Sequence, residues 1–361
     1  MTKFSTALPE VNPIIRADLE RITSSSLPWS NLRGKTILVT GGAGFLAAYI
    51  IKSLLTIGRV NELSIHVICV VRNFKSIEAR LSMWRGTPDF SIYQQDVTEP
   101  FPSDIPRADF VIHAASQASP KYYAVDPIGT LRANSVGTMN LLDYAVKNQV
   151  EKFIFFSSGE VYGIPTHTGK LVSELDYGYL DPLQTRSCYA ESKRFGETMC
   201  AAWAQQHGLH TNVIRPFHTY GPGMALDDGR VFADFVADVV ARRNIVIKSD
   251  GMAKRPFCYI ADATIGFLTV LMTGAKTEAY NVGNPDAESS IKDLAIMIAA
   301  LFPERGIGTR FDFPASSSAY LKSPISRSCP DIDKIRGLGW CPIIGLEDGF
   351  RRTIQSFLFN T

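Results

Sequence analysis

Continuous apolar runs alternate with amphipathic stretches along most of the chain. Apolar runs of strand length lie at residues 35–40, 64–71, 90–94, 109–114, 152–157 and 211–215. Stretches with helical periodicity lie between them, most clearly at 44–56, 129–147 and 190–207. Because strands that are apolar on both faces are typical of buried parallel sheets, this alternation predicts an α/β fold with a Rossmann-like, doubly wound parallel sheet.

The pattern changes near both ends of the chain, which predicts three parts. Residues 1–34 are expected to form an N-terminal extension with one short helix from Pro13 to Arg21. Residues 35–220 carry the regular alternation and are expected to form the Rossmann-like domain. Beyond residue 221, short helices at 231–241 and 291–302 alternate with isolated strands and many Pro and Gly residues. Residues 221–361 are therefore expected to form mainly a smaller C-terminal α/β domain.

Composition and charge exclude several classes of protein. The chain has 361 residues, a net charge of +2 and no basic cluster, so a nucleic-acid partner is not expected. The N-terminus has no apolar core of signal-peptide length, and the longest apolar stretches are too short to cross a bilayer. The six cysteines are scattered without a CxxC motif, which favours reduced thiols and no metal site. We therefore expect a cytoplasmic protein without a membrane partner.

A glycine-rich turn follows the first predicted strand and begins the first predicted helix. Small residues there let the backbone approach a ligand, and the amides at the start of a helix can hold a diphosphate. The spacing is GxxGxxA, and the same residues also suit a tight bend without a ligand. The residues expected to bind a dinucleotide at this turn are Gly41, Gly44, Phe45, Leu46 and Ala47.

The end of the second strand usually selects between NAD and NADP. Here the strand runs into Arg72 and Asn73 rather than an acidic residue. An arginine can bind a 2′-phosphate, stack on adenine or remain solvated, so both NAD and NADP stay open. At the end of the third strand, Asp96 and Val97 can reach the adenine, and a local strand-end cap is the alternative.

A tyrosine and a lysine share one helix face at positions i and i+4, Tyr189 and Lys193. A neighbouring ammonium and a nicotinamide cation would lower the pKa of the phenol and let it take a proton from a substrate hydroxyl. The hydroxyl of Ser158, just past a predicted strand, can hold the substrate oxygen. Together with the glycine turn, these residues indicate a redox enzyme that uses a nicotinamide cofactor.

The chain resembles the extended short-chain dehydrogenase/reductases that act on nucleotide sugars. The resemblance runs from about residue 32 to the C-terminus and includes SSGEVYG, SCYAESKR, IRPFHTYGPG, DDGRVF and SCPDIDKIRGLGW. Within this family it looks most like the UDP-glucuronate decarboxylases, because of the ASPKYY segment and the pairing of SCYAESKRFGETMCAAW with DDGRVF.

The resemblance implies an NAD cofactor and a nucleotide-diphosphate sugar as substrate, with residues 221–361 mainly binding the sugar. It also implies a homodimer formed through the helices of 137–150 and 190–207. Further cofactor residues would be Ala114, Ala115, Ser116, Asn134 and Pro216. Substrate residues would be Ser119, Tyr123, Arg186, His218, Arg230, Lys248, Arg255 and Arg327, and Glu160 would be a second acid/base group.

The implied chemistry is oxidation of the sugar at C4, loss of carbon dioxide from the β-keto acid, and reduction at C4. Two residues depart from the family pattern. Gly159 stands where 4,6-dehydratases have an aspartate and decarboxylases commonly have a serine, which counts against dehydration. His218 stands where the family usually has asparagine, so a 4-epimerase is the next alternative. A 4,6-dehydratase is the third. A non-catalytic dinucleotide sensor and a reductase that releases NADPH are the alternatives from other classes.

Overall fold

The computed structural model describes residues 10–165, 169–312 and 325–359, with the side chains of residues 78 and 79 excepted. Among the described residues, seven parallel strands form one sheet. Their order across the sheet is β3-β2-β1-β4-β5-β6-β11. The strands are β1 (Thr36–Thr40), β2 (His66–Val71), β3 (Phe90–Gln94), β4 (Phe110–His113), β5 (Lys152–Phe156), β6 (Thr211–Pro216) and β11 (Glu278–Val282).

Alternate residues of β1 show why the sheet needs a helical layer on each side. Ile37 and Val39 belong to one buried apolar cluster, whereas Leu38 belongs to another. A strand that is buried on both faces reads as a continuous apolar run. The predicted α/β fold with a Rossmann-like, doubly wound parallel sheet is confirmed.

The longer helices of the sheet layers and of the N-terminal segment agree with the periodic stretches of the sequence, whereas the short helices at residues 78–81 and 120–125 were not expected. In chain order, these helices are α1 (Pro13–Thr23), α2 (Phe45–Val60), α3 (Glu78–Leu81), α4 (Pro120–Val125), α5 (Pro127–Asn134), α6 (Val136–Lys147) and α7 (Cys188–His207). The helix expected at 129–147 is in fact two helices, because Ser135 (φ −104°, ψ −74°) interrupts it. The side chain of Asn134 there bonds Ser192 of α7, a contact that local periodicity does not record.

The C-terminal part consists of short strands and helices, and its buried aromatic residues belong to the same apolar cluster as Ile37 and Val39 of β1. Strand β7 (Thr219–Tyr220) pairs with β10 (Cys258–Tyr259), β8 (Ile245–Ile247) with β13 (Thr309–Phe311), and β9 (Lys254–Pro256) with β12 (Glu288–Ser290). The helices are α8 (Val231–Val240), α9 (Ile260–Thr273), α10 (Ile291–Ala300), α11 (Asp333–Arg336) and α12 (Leu346–Leu358). None of the helices within the described ranges combines the length and the hydropathy that crossing a membrane requires.

The N-terminal helix α1 packs between the two larger parts of the chain. Leu19 and Ile22 are fully buried. The carboxylate of Asp18 accepts hydrogen bonds from Tyr49 of α2 (2.6 Å) and from Tyr259 of β10 (2.8 Å). The segment expected to be an extension therefore forms part of the core, and it links the Rossmann-like sheet layers to the C-terminal part.

Candidate active site

A cavity of about 400 Å³ lies at the carboxyl ends of the central strands. Its lining includes the residues that directly follow β1, β4, β5 and β6, namely Gly41, Ala114, Ser157 and Phe217. Residues of the C-terminal part, such as Arg230 and Arg255, complete the wall. Ligands of doubly wound sheets bind in this position, outside the carboxyl ends of the strands.

The glycine turn forms one wall of the cavity, and its backbone is packed too closely for side chains at Gly41 and Gly42. Gly41 has φ +69°, and a Cβ there would lie 2.7 Å from Cα of Ala115. A Cβ on Gly42 would lie 2.2 Å from Sγ of Cys69. Gly44 is the N-cap of α2, so the free amides of the first helical turn begin at the cavity. This geometry suits a diphosphate that contacts the backbone closely.

The residues expected to bind the cofactor divide into two groups. Gly41, Gly44, Phe45, Leu46, Ala47, Ala114, Ser116, Tyr189, Lys193 and Pro216 all line the cavity. Outside its lining lie Arg72, Asn73, Asp96, Val97, Ala115 and Asn134. Of these, Asp96 accepts two hydrogen bonds from its neighbour Thr98, both 2.9 Å long, as a local cap does.

The four residues expected to be catalytic, Ser158, Glu160, Tyr189 and Lys193, lie together in the cavity lining. Tyr189 hydrogen-bonds Ser158. The Nζ atom of Lys193 lies 5.8 Å from the ring centroid of Tyr189 and donates to the carbonyl of Phe156 (2.6 Å), at the end of β5. The spacing on α7 thus brings the phenol and the ammonium to one end of the sheet.

Burial controls the titration of this pair. It raises the pKa of the Tyr189 phenol from 10.0 to about 12, and the charge of Glu160 acts in the same direction. Burial also lowers the pKa of Lys193 from 10.5 to about 7, although Glu197 opposes this change. For these residues without a cofactor, loss of water outweighs Ser158, Arg230 and Arg186, which favour the phenolate. The expected lowering of the Tyr189 pKa includes a nicotinamide cation and stays a prediction.

Glu160 is held by an arginine rather than left free in the cavity. Arg186 donates to both carboxylate oxygens, at 2.8 Å and 3.3 Å, and its guanidinium lies 4.9 Å from the ring centroid of Tyr123. Tyr123 in turn stacks on Tyr189 at 5.1 Å between ring centroids. Neither Arg186 nor Tyr123 lies in the cavity lining, so both act from behind the residues that do.

The remaining residues expected to bind substrate are spread more widely. Ser119, His218, Arg230 and Arg255 line the cavity. Lys248 instead faces Asp234 at 3.5 Å with an exposed side chain, and Arg327 pairs with Glu288 at 2.8 Å. The structure places Lys248 and Arg327 outside the cavity lining, because each is held by a carboxylate of the C-terminal part.

The ring of Phe217 occupies the space that a side chain at position 159 would need. A Cβ at Gly159 would lie 2.9 Å from Cε1 of Phe217 and 3.1 Å from Cζ. Phe217 is 4% exposed and packs in a small cluster with Val161, Tyr162 and Val172. The wall beside Ser158 is therefore aromatic, and an acidic side chain at position 159 would need the ring to move.

Several residues of the cavity lining were not expected from the sequence, and two of them bear on its shape and charge. Phe217 is one, although it lies between the expected residues Pro216 and His218. The other is Arg80, which lines the cavity from the short helix α3 and bonds the carbonyls of Ala43 and Gly223. No motif surrounds Arg80, so only its position in the fold reveals it.

Orphaned polar atoms support binding of a polar ligand here. Three residues of the cavity lining have a buried polar atom with no hydrogen-bond partner among the described residues, namely Ser116 Oγ, His218 Nδ1 and Ser328 Oγ. Such atoms cost free energy unless a ligand or water completes them. Burial, with the charges of Arg255 and Arg230, holds the pKa of His218 well below its usual range, so its ring is neutral. The glycine turn, these atoms and the cations together fit a dinucleotide and a phosphorylated substrate.

Known proteins are similar to this chain in sequence and in fold. The sequence profile of the NAD dependent epimerase/dehydratase family matches residues 37–283. The chain is 35% identical over 325 residues to a UDP-glucuronic acid decarboxylase 1 from Xenopus tropicalis, which covers 90% of this chain and 72% of that protein. It is also 35% identical over 330 residues to a UDP-glucuronic acid decarboxylase 6 from Arabidopsis thaliana, covering 91% of this chain and 89% of that protein.

The fold of this chain is also similar to that of a solved structure. The UDP-glucuronic acid 4-epimerase from Bacillus cereus, in complex with UDP-glucuronic acid and NAD, superposes with a TM-score of 0.77 at 22% sequence identity. The likeness covers 90% of this chain and 100% of that chain. With the family profile matching 37–283 and the cavity built as described, this chain belongs to the NAD dependent epimerase/dehydratase family.

Proposed function

We propose that this protein is an NAD-dependent enzyme that oxidises a nucleotide sugar at C4, and that its net reaction is decarboxylation of UDP-glucuronate. One observation carries the proposal: Ser158, Glu160, Tyr189 and Lys193 line the same cavity as the glycine turn. The two decarboxylases, each 35% identical to this chain over nine tenths of its length, support the choice of substrate.

NAD is the cofactor that the family description and the glycine turn favour. The bound dinucleotide supplies the hydride acceptor at C4 and, at the end of the cycle, the hydride donor. Gly41, Gly44 and Ala47 would hold its diphosphate, and Ser116 and Pro216 would line its nicotinamide half. Arg72 is exposed at the end of β2 and also suits a 2′-phosphate, so NADP is tested beside NAD.

Tyr189 would take the proton of the C4 hydroxyl while the C4 hydrogen leaves as hydride, which converts C4 to a ketone. Ser158, already bonded to Tyr189, would hold the sugar oxygen during this step. A phenol with a pKa of about 12 is a poor base at neutral pH. A nicotinamide cation and a protonated Lys193 both favour the phenolate, so binding of the cofactor would prepare Tyr189 for proton transfer.

The 4-ketone would make the C5 carboxylate part of a β-keto acid. The bond between C5 and the carboxylate then breaks, carbon dioxide leaves, and the electron pair is stored in the enolate at C4 and C5. A proton added at C5 restores the ketone, and we assign its transfer to Glu160. Return of the hydride to C4, with a proton from Tyr189, completes the cycle.

The cations of the cavity would hold the acidic substrate. Arg230 and Arg255 line the cavity and would bind the uronate or the diphosphate, a role that planar guanidinium groups fill well. Ser119 and the neutral His218 would add hydrogen bonds. Arg186 is already paired with Glu160, so we assign it to positioning that carboxylate beside the sugar.

A 4-epimerase is the second candidate, because it uses the same C4 oxidation and needs no further acid. The fold shared with a UDP-glucuronic acid 4-epimerase favours keeping it in view. A 4,6-dehydratase is disfavoured, since Phe217 fills the space where a side chain at position 159 would lie. The two surviving reactions start from one substrate and differ in their product.

Product analysis tests the proposal directly. The full-length protein is incubated with UDP-glucuronate and NAD, and in parallel with NADP, and the nucleotide sugars are identified by mass and by chromatography. A UDP-pentose with release of carbon dioxide is expected. UDP-galacturonate would establish the epimerase instead, and an unchanged UDP-glucuronate would refute both.

We also propose that residues 35–220 form the dinucleotide-binding domain and that residues 221–361 mainly bind the sugar. Strand β11 is the exception, since it joins the sheet of the first domain.

We further propose that the protein is a cytoplasmic homodimer. Helices α6 and α7 leave Met139 41% exposed and Phe195 53% exposed, and a partner copy would cover these side chains. The five buried cysteines among the described residues are free thiols, in keeping with a reducing compartment.

A further inference from the structure

Arg80 bridges the glycine turn and the C-terminal half of the chain. Its Nη1 donates to the carbonyl of Ala43 (2.9 Å), one residue before the N-cap of α2. Its Nε donates to the carbonyl of Gly223 (3.0 Å), shortly after β7. The side chain lines the cavity together with Gly41 and Gly44. A single guanidinium thus joins the two walls of the cleft at the glycine turn.

The charge of Arg80 is not balanced by any carboxylate whose side chain the structure describes. Two other arginines with little exposed side chain do have one: Arg186 pairs with Glu160, and Arg215 pairs with Glu197. Burial lowers the pKa of Arg80, with no acidic group opposing it. A partly buried cation that bonds only carbonyls costs free energy unless an anion joins it.

We propose that Arg80 binds the diphosphate of the dinucleotide and, through Gly223, closes the cleft over it. A guanidinium has five N–H donors, and the two carbonyls leave some of them for phosphate oxygens. The bond to Ala43 places this charge at the turn whose geometry suits a diphosphate. Arg72, at the end of β2, is the residue positioned for a 2′-phosphate, so the two arginines contact different phosphates. The inference rests on the proposed use of a dinucleotide.

Ligand binding tests this inference without any turnover. Each ligand competes with NADH for the full-length protein, and the fall in the fluorescence of bound NADH measures the affinities of NAD, ADP-ribose and adenosine. The last of these lacks the diphosphate. We expect R80Q to weaken binding of NAD and ADP-ribose by about tenfold to one-hundredfold, the loss of a charged hydrogen bond, and to change adenosine binding less than about twofold. R80K keeps the positive charge but lacks the planar guanidinium. Its affinities for NAD and ADP-ribose should therefore lie between those of wild type and R80Q.

Arg305 provides a matched control. It also donates to two backbone carbonyls, those of Val239 and Val240, and it is outside the cavity lining. R305Q should bind all three ligands as wild type does, and thermal unfolding of each variant shows whether it is folded. Should R80Q fail to fold, R80K alone decides, because equal affinity of R80K and wild type for ADP-ribose would overturn the inference.

Three further results would also overturn it. These are equal weakening of ADP-ribose and adenosine binding by R80Q, unchanged binding of both, or, when NADP is measured as a further ligand, a loss of affinity confined to NADP. The last result would assign Arg80 to the 2′-phosphate. Product analysis with UDP-glucuronate is independent of these measurements. A wild-type protein that binds NAD through Arg80 but converts no uronate would refute the proposed function and leave the inference standing.

Discussion

Replacing Asp18 with asparagine should remove a pH-dependent part of the stability of this protein. The buried carboxylate accepts hydrogen bonds from Tyr49 and Tyr259 and so joins α1 to both larger parts of the chain. Burial raises the pKa of Asp18 from 3.8 to about 6, although the two tyrosine hydrogen bonds act in the opposite direction. The folded protein therefore holds this proton more tightly than the unfolded chain does.

The sign and size of the effect follow from proton linkage. Because the pKa is raised on folding, the stabilisation is fully present below pH 3.8 and is lost as the pH rises through about 6. The difference between 3.8 and about 6, at ~1.4 kcal/mol per pKa unit, corresponds to about 3 kcal/mol in all. Of this, about 2 kcal/mol is lost between roughly pH 4.5 and roughly pH 7.5.

Urea denaturation at several pH values measures the free energy of unfolding of wild type and D18N. Asparagine keeps an oxygen for the two tyrosines but cannot ionise, so the stability of D18N relative to wild type should rise by about 2 kcal/mol over that range. The exposed Asp104 provides a control, since D104N should follow wild type at every pH. A difference between wild type and D18N that does not change with pH would refute the assignment of this titration to Asp18.

Three other tests address the proton transfer by Tyr189, the packing at Gly159 and the dimer interface. Tyr189→Phe should lower kcat for UDP-glucuronate by about 10²–10⁴-fold while dinucleotide still co-purifies; unchanged turnover would remove the phenol from the mechanism. Gly159→Ser should destabilise the protein by about 1–3 kcal/mol in urea, and adding Phe217→Leu should recover part of that; strictly additive losses would contradict the packing explanation. Phe195→Glu should give monomers in light scattering and Ile343→Glu should not; dimers in both variants would place the interface elsewhere.

The elements of the sheet could be predicted because their signal is local. Strands β3 and β5 were expected within one residue of where they lie, since each is a short apolar run between polar residues. The break at Ser135 could not be predicted in this way. The residue before the break, Asn134, hydrogen-bonds Ser192, which is 58 residues away in the chain, and local periodicity does not record such a contact.

The candidate catalytic pair was predictable for a different reason. Tyr189 and Lys193 are neighbours on one helix, so their spacing in the sequence fixes their spacing in the fold. The pKa shifts of Tyr189 and Lys193 were not predictable, because burial, the largest cause of both, is a property of the assembled chain. Arg80 was missed for the same reason: its partners Ala43 and Gly223 lie 37 and 143 residues away.

A cofactor that is reduced and reoxidised within one catalytic cycle has to stay bound between the two steps. The structure suits this requirement, because groups of both halves meet across the cleft. Arg80 bonds the glycine turn and Gly223, and Ser119 donates to the carbonyl of Asp228. Behind the cleft, Asp18 joins α2 to β10. Opening the cleft to release dinucleotide would break the Arg80 bridge and expose a charge, so the contact proposed to bind the diphosphate would also slow its release.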